Sequence, residues 1–321
     1  MECQLPAGAE LKDQIAHAVE SQDPDLVQIM EKQCGDWEAV EYRKARKDLV
    51  SIMEKYVSID EALYHLSDSP AAVLLGKIAI VWRILKGERE SKLGSRFPVL
   101  GGGRTWMPEF LSIALGSQKA ARIINTFENI TIINFNYDRT LEHYLYHALQ
   151  ELPDVSPHSA AEAIRRLNVR RPYGFVGPLN WMRWVPEPRV PFGANQADYN
   201  ALKLVERIRI YMEEKHDSEI AAIREAFRVS ELLIFLGFGF HDQNMKLLQV
   251  KSQSKASRRV FASVFGIDHE IHDIIAGHIN PSILDYGARL FDVEAAVMLS
   301  RFRLAITMAA SANRPPPTER I

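Results

Sequence analysis

Cysteine is scarce in this chain, with Cys3 and Cys34 alone among 321 residues. Two thiols exclude a disulfide framework and a four-thiolate metal site, and they fit a reducing compartment. Neither sign of charge dominates. The formal net charge of −2 leaves no broad basic field for a nucleic-acid backbone, so direct nucleic-acid binding is not expected. Long apolar runs are missing as well. The longest, Ile78 to Trp82 and Leu232 to Phe240, fall far short of the ~20 residues that cross a bilayer. The start, Met1-Glu-Cys-Gln-Leu-Pro, lacks the basic residues and apolar core of a signal peptide. Together these absences predict a cytoplasmic protein with no membrane association. What remains is ordinary for a globular chain, 47% apolar and 25% charged, long enough for one large or two smaller domains.

The most informative stretch is Ile130 to Ala148, ITIINFNYDRTLEHYLYHA. Ile130 to Ile133 with Phe135 form a nearly continuous apolar run, the pattern of a short strand covered on both faces. Asn136-Tyr137-Asp138 ends it, and Leu141, Tyr144, Leu145 and Ala148 then recur three and four apart, which predicts a helix. In an open α/β sheet such a turn lies at the carboxyl end of a strand, where ligands bind. Asn136 and Asp138 therefore either face a ligand or cap the helix that follows.

The segment before this unit reads as helical. Leu11, Ile15, Ala16 and Val19 share one face, and from Asp23 to about Leu93 apolar stripes alternate with charged faces. Asp60 and Glu61 look like first-turn acids behind a Ser58 cap. Gly101-Gly102-Gly103-Arg104-Thr105 lacks the Gly-Lys-Ser/Thr ending of a phosphate loop and reads as a plain loop before a helix from Trp106 to Ile113. After the central unit comes a short helix at Ala160 to Leu167. Next is RRPYGFVGPLNW, whose Gly174 and Gly177 with Pro172 and Pro178 describe an extended segment that turns tightly. A long helical region is predicted from Asp198 to Val229.

A second strand, turn and helix unit follows in ELLIFLGFGFHDQNMKLL. Leu232 to Leu236 form the strand, Gly237-Phe238-Gly239-Phe240 the bend, and Asp242 with Asn244 mark the helix start. Glycines at a strand's carboxyl end let a ligand approach the backbone. Arg259 to Gly266 reads as a half-buried strand, Leu290 to Val293 as a last short strand, and Ala295 to Ala310 as a terminal helix. His269 and His272 stand three apart, but without a third ligand nearby they read as part of a solvated helix, and no metal is expected. Asn313 to Ile321, with three consecutive prolines, reads as a disordered tail.

Taken together, these stretches resemble the bacterial sirtuin-like family, whose NAD-consuming members often act in antiphage defence. IINFNYDRTLEHYL is similar to that family's Thr-Asn-Tyr-Asp strand and turn, and LLIFLGFGFHDQN to its late glycine-rich strand end. SIDEALYHLSDSP with GKIAIVWRILKGERESKL resembles the helical insertion of one prokaryotic branch. The resemblance implies a Rossmann-like parallel α/β sheet of the sirtuin type, over residues 1–22 and 119–311, with a large helical insertion at 23–118 and a tail at 312–321. It gives Asn136 the place of the catalytic asparagine, which orients the attacking water or the ribose hydroxyls. Asp138 then supports the developing cation or holds the turn. Gly237, Phe238, Gly239, Phe240, Asp242 and Asn244 would line the ribose or adenine side of NAD, with Gly174, the glycine of the family's His-Gly motif, as a further contact. Phe238 and Phe240 have packing as their plain alternative.

Two departures accompany the matches. The family opens with a strand and a Gly-Ala-Gly-x-Ser phosphate loop, whereas here Met1 falls where the chain should be leaving that loop. The expectation is a reading frame that starts late by about two dozen residues. The motif histidine is also missing, because its two family positions hold Tyr173 and Arg171. A phenol titrates near ~10 and a guanidinium stays protonated, so neither replaces an imidazole as a base near neutrality. His158 and His241 are other imidazoles that could reach the site. Two readings stay open. One is an NAD glycohydrolase, intact or impaired, with Asn136, Asp138 and Tyr173 at its centre, NAD as substrate, and a homo-oligomer or companion defence subunit as partner. The other is a catalytically silent nucleotide-binding or assembly module. Protein deacylation by NAD is a third, without the four-cysteine zinc module that many deacylating members carry.

Overall fold

Local signals account for most of the helices. In a computed structural model of the protein, which describes residues 8–94, 105–116, 120–210, 217–248, 259–279 and 288–311, the first are α1 (Gly8–Glu20), α2 (Pro24–Cys34), α3 (Val40–Met53), α4 (Ile59–Tyr64) and α5 (Pro70–Glu90). Asp23 caps α2 by accepting from the amides of Asp25 at 2.9 Å and Leu26 at 3.4 Å, with Pro24 at the first helical position. Ser58 caps α4 through the Glu61 amide, as the Ser-Ile-Asp-Glu pattern predicts.

The chain next forms α6 (Met107–Leu115), β1 (Thr131–Ile133), α7 (Thr140–Gln150), α8 (Pro157–Arg165), β2 (Asn168–Arg170) and α9 (Ala201–Val205). The remaining elements are α10 (Asp217–Val229), β3 (Leu232–Phe235), α11 (Asp242–Leu248), β4 (Arg259–Ser263), α12 (His272–Ile279), β5 (Ala288–Phe291), α13 (Ala295–Arg301) and α14 (Arg303–Ser311). The fold is mixed α/β, mostly helical, with small parallel sheets.

Two compact units divide the chain, one of Met1–Gly103 with Lys119–His216 and one of Arg104–Gln118 with Asp217–Ile321. The boundaries differ from those expected, 1–22 with 119–311 around an insertion at 23–118. The reason is packing. In the first unit α5 is buried on nearly every side, with Leu75, Ile78, Ala79, Ile80, Val81, Ile84 and Leu85 inaccessible. A helix apolar all round must be surrounded, and α5 packs against α1, α3 and α9, so it shares a core with elements on both sides of the supposed insertion. In the second unit α6 joins the core of Phe261, Met298, Leu299 and Ile306 through Trp106, Phe110 and Ile113.

The first unit's sheet is the parallel pair β1–β2, in register from Thr131 with Asn168 to Ile133 with Arg170. The second unit's sheet is parallel in the order β3–β4–β5. Burial along the strands reverses the expectation at two places. The Ile130 to Ile133 run, expected to be covered on both faces, has Thr131 exposed and its isoleucines half-buried, because β1 has one paired edge among the described residues. The Arg259 to Gly266 strand, expected to be half-buried, is β4, where Val260, Phe261, Ala262 and Ser263 are all buried. It is the central strand, covered on both faces.

The predicted long helix over Asp198 to Val229 also breaks. After α9 the backbone extends, and Ile208 forms an antiparallel bridge with Gly174. Ile208 and Ile210 are both buried, so period-two burial of β-branched residues overrides the helical pattern there. The predicted terminal helix divides at Phe302, whose ring packs 4.0 Å from Phe291. Gly101 to Arg104 and the tail lie outside the described residues.

Gly174 has φ +73°, and a β-carbon there would overlap the Arg207 carbonyl oxygen, far inside van der Waals contact. Both effects act on backbone that cannot yield. Gly174→Ala is expected to destabilise the protein by about 2–4 kcal/mol, measured by urea unfolding, with Gly266→Ala, at φ +76° but in open space, as the milder comparison.

Candidate functional site

The expected site residues fall into both units. Asn136, Asp138, Tyr173 and Gly174 belong to the first, and Gly237 to Asn244 to the second.

In the first unit, β1 and β2 run parallel, so residues 134–138 and 171–177 emerge at the same carboxyl edge. The amide of Asn134 donates to the Arg170 carbonyl at 2.8 Å and joins the two strand exits. The Asn136 amide donates to Asn134 Oδ1 at 2.9 Å, and the Val176 amide donates to the Tyr137 carbonyl at 3.1 Å. Asp138 is buried, and its Oδ1 accepts from the Thr140 amide at 2.9 Å. That carboxylate already occupies an amide at the start of α7.

Two buried arginines complete the turn. Arg171 Nη1 donates to the carbonyls of Asn136 at 2.8 Å and Asp138 at 2.9 Å, while Nη2 reaches both Glu142 oxygens at 2.7 and 2.9 Å. Arg139 and Glu88 form a fully buried pair. Arg139 Nε donates to Glu88 Oε1 at 3.0 Å, and its Nη atoms bond Glu88 Oε2 and the carbonyls of Gly177 at 3.4 Å, Val190 at 2.7 Å and Pro191 at 2.9 Å. Glu88 also accepts from the backbone amides of Arg139 at 3.2 Å and Gly193 at 3.0 Å.

Against this fixed backbone, the side chain of Asn136 is exposed and makes no hydrogen bond to the described residues. Tyr173 is 5% exposed, its ring 6.1 Å from that of Phe135 and 6.4 Å from that of Tyr137. Gly174 serves the backbone bridge to Ile208. The Tyr137 hydroxyl donates to Asp60 on α4, and burial pushes the Asp60 carboxyl up to about 7. Asp60 is thus a buried partner of the turn as well as a first-turn acid.

Imidazoles near α7 are tuned against basicity. Burial lowers His143 to about 4, with His147 adding to the effect; its ring stacks on Phe192 at 3.9 Å, and Nε2 donates to the Leu93 carbonyl at 3.1 Å. Burial lowers His147 too, opposed by Glu151. His158 is exposed on the first turn of α8. No described histidine is hydrogen-bonded to the 134–138 turn.

In the second unit the 236–241 stretch leaves β3 at its sheet's carboxyl edge. Gly237 has φ +57° and Phe240 φ +52°. Phe235, Phe238 and Phe240 pack ring on ring at 4.9 to 5.5 Å, the plain alternative for those phenylalanines. A β-carbon on Gly239 would meet the His241 ring 2.8 Å away, whereas one on Gly237 would meet nothing. Asp242 pairs with Lys246 at 2.5 Å on the surface of α11, and Asn244 is half-buried. Among the described residues no group of three His, Cys, Asp or Glu side chains stands together as a metal site. Nor is any helix among them long and apolar enough to cross a membrane.

Sequence reasoning missed Glu88, Arg139, Glu142 and Arg171 as the frame of the turn. One signal was available: Glu88 follows Ile84 and Leu85 at helical spacing, which puts a carboxylate on the buried face of α5. No protein-family model matches the chain, and no curated protein or solved structure matches it significantly.

Glu88→Ala leaves the Arg139 guanidinium buried without its counter-charge and is expected to destabilise by about 3–5 kcal/mol. The double variant Glu88→Leu with Arg139→Met is expected to remain destabilised in urea unfolding, because it strips the Gly177, Val190 and Pro191 carbonyls and the Gly193 amide of their partners. Asp60 gives a pH signature. Its folded value is raised from 3.8 to about 7, so its contribution is fully present below the unfolded value and lost as pH rises through the folded one. Asp60→Asn is expected to flatten that decline between about pH 4 and 7 in unfolding curves taken across the range.

Proposed function

We propose that this chain is a sirtuin-like NAD+ glycohydrolase of the antiphage-defence type, built on a Rossmann-like sheet, that releases nicotinamide. The observation that carries this reading is Asn136: an exposed, unengaged carboxamide on a turn whose backbone is pinned on every side, at the carboxyl edge of a parallel strand pair. The chemistry suits such a group. Nicotinamide leaves from C1′ of the ribose as a neutral ring, taking the glycosidic electron pair onto its positively charged nitrogen. Water adds to the oxocarbenium-like carbon and gives its second proton to solvent. That step needs positioning and electrostatic support more than a strong nucleophile, and an amide that donates and accepts, carried on a held backbone, supplies both to the water and the ribose hydroxyls. In this reading Asp138 holds the turn and Tyr173 packs against it.

A second reading has its own support. Arg171 and Tyr173, at the two family positions of the histidine, are a guanidinium committed to Glu142 and a buried phenol. This favours a silent module that binds a nucleotide or a companion subunit without cleaving. Purified protein incubated with NAD separates the two. Nicotinamide release that falls by at least about 100-fold in Asn136→Ala supports the glycohydrolase. Calorimetric binding of NAD with no release, in wild type and variant alike, supports the silent module.

A further inference from the structure

The asparagine's turn is held by a side chain that has no part in the proposed chemistry. Arg171 Nη1 bridges the carbonyls of residues 136 and 138, and the intervening carbonyl of Tyr137 accepts from the Val176 amide. Three consecutive carbonyls are therefore engaged by the stretch that follows β2. The other guanidinium nitrogen is turned onto Glu142, in the first turn of α7, and the face of the Phe175 ring lies 5.2 Å from the guanidinium carbon. Arg171 and Glu142 are both buried. One planar group thus ties the exit of β1, the exit of β2 and the start of α7, and of residues 134–138 it is Asn136 that is exposed.

We propose that Arg171 and Glu142 act together as a positioning unit that holds the backbone carrying Asn136 in its working place before substrate arrives. The inference depends on the glycohydrolase reading above. The fork is what the geometry requires: an ammonium's three donors radiate from one nitrogen and cannot place one nitrogen between two carbonyls and a second, in the same plane, on both oxygens of a carboxylate. Glu142 orients the fork by occupying Nη2, which leaves Nη1 to the backbone. A displacement of about 1 Å in such a group lowers turnover by up to about 100-fold, so loosening the clamp is felt in the chemical step more than in substrate capture.

The test uses the full chain with Arg171→Lys and Glu142→Gln, each confirmed as folded by circular dichroism. Glu162→Gln, at the exposed Glu162–Arg165 pair of α8, serves as the control. Steady-state nicotinamide release and amide hydrogen exchange over residues 134–140 are measured in parallel. The expected result is a kcat lowered about 10- to 100-fold with KM within about threefold of wild type, together with faster exchange across the turn. The control keeps both. If Arg171→Lys does not fold, Glu142→Gln, which preserves volume, carries the test alone. Folded variants that retain wild-type kcat, or that lose kcat with unchanged exchange, overturn the proposal while leaving the glycohydrolase reading intact. Wild-type protein that releases no nicotinamide overturns that reading, and the positioning role falls with it.

Discussion

The first unit depends on one charge pair that water cannot reach. Glu88, on the last turn of α5, faces Arg139 at the head of α7, and both side chains are essentially inaccessible. Two isolated charges in such a place would each carry a desolvation penalty of several kcal/mol. The penalty is offset because almost every polar direction is used: the carboxylate takes two backbone amides besides the guanidinium, and the guanidinium takes three carbonyls besides the carboxylate. Four of those five backbone partners come from the 177–193 connection, which has little regular structure to satisfy its own groups; the fifth is the amide of Arg139 itself. The pair therefore organises a loop that the helices alone leave undefined.

A second buried pair repeats this logic a few residues away with another outcome. Where Arg139 gathers a distant loop, Arg171 gathers the turn directly before it in the sheet. Between them they take the carbonyls of Asn136 and Asp138 and the amide of Arg139, and leave the Asn136 carboxamide exposed. The second unit's glycine bend is explained internally, by left-handed backbone at Gly237 and by the His241 ring over Gly239. The functional reading therefore draws its strength from the first unit.

Periodicity made the elements legible where burial follows the simplest rule. The strand, turn and helix at 130–148 and again at 232–248 lie within a residue or two of their predicted limits. What was illegible is tertiary. Nothing in TIINF or RVFAS says which strand takes the centre of a sheet, and the burial of β1 and β4 is exchanged for that reason. Arg207-Ile208-Arg209-Ile210 fits a helical window, and only the glycine opposite, at 174, draws it into a bridge. Asn136 and Asp138 were visible as a pair after a strand, yet their division of labour was not. Asp138 turns inward to the helix start and Asn136 outward, a distinction set by the arginines behind them.

The contacts of Glu88 span 51 residues to Arg139 and 105 to Gly193. Contacts of that separation require long loops to close before any gain arrives, and here the gain also waits until every partner has displaced its water. Such a network forms after the folding barrier has been crossed and must be broken before the unfolding barrier is reached. It therefore acts chiefly on the escape rate from the native state, lending the first unit persistence in time beyond what its equilibrium stability alone would give.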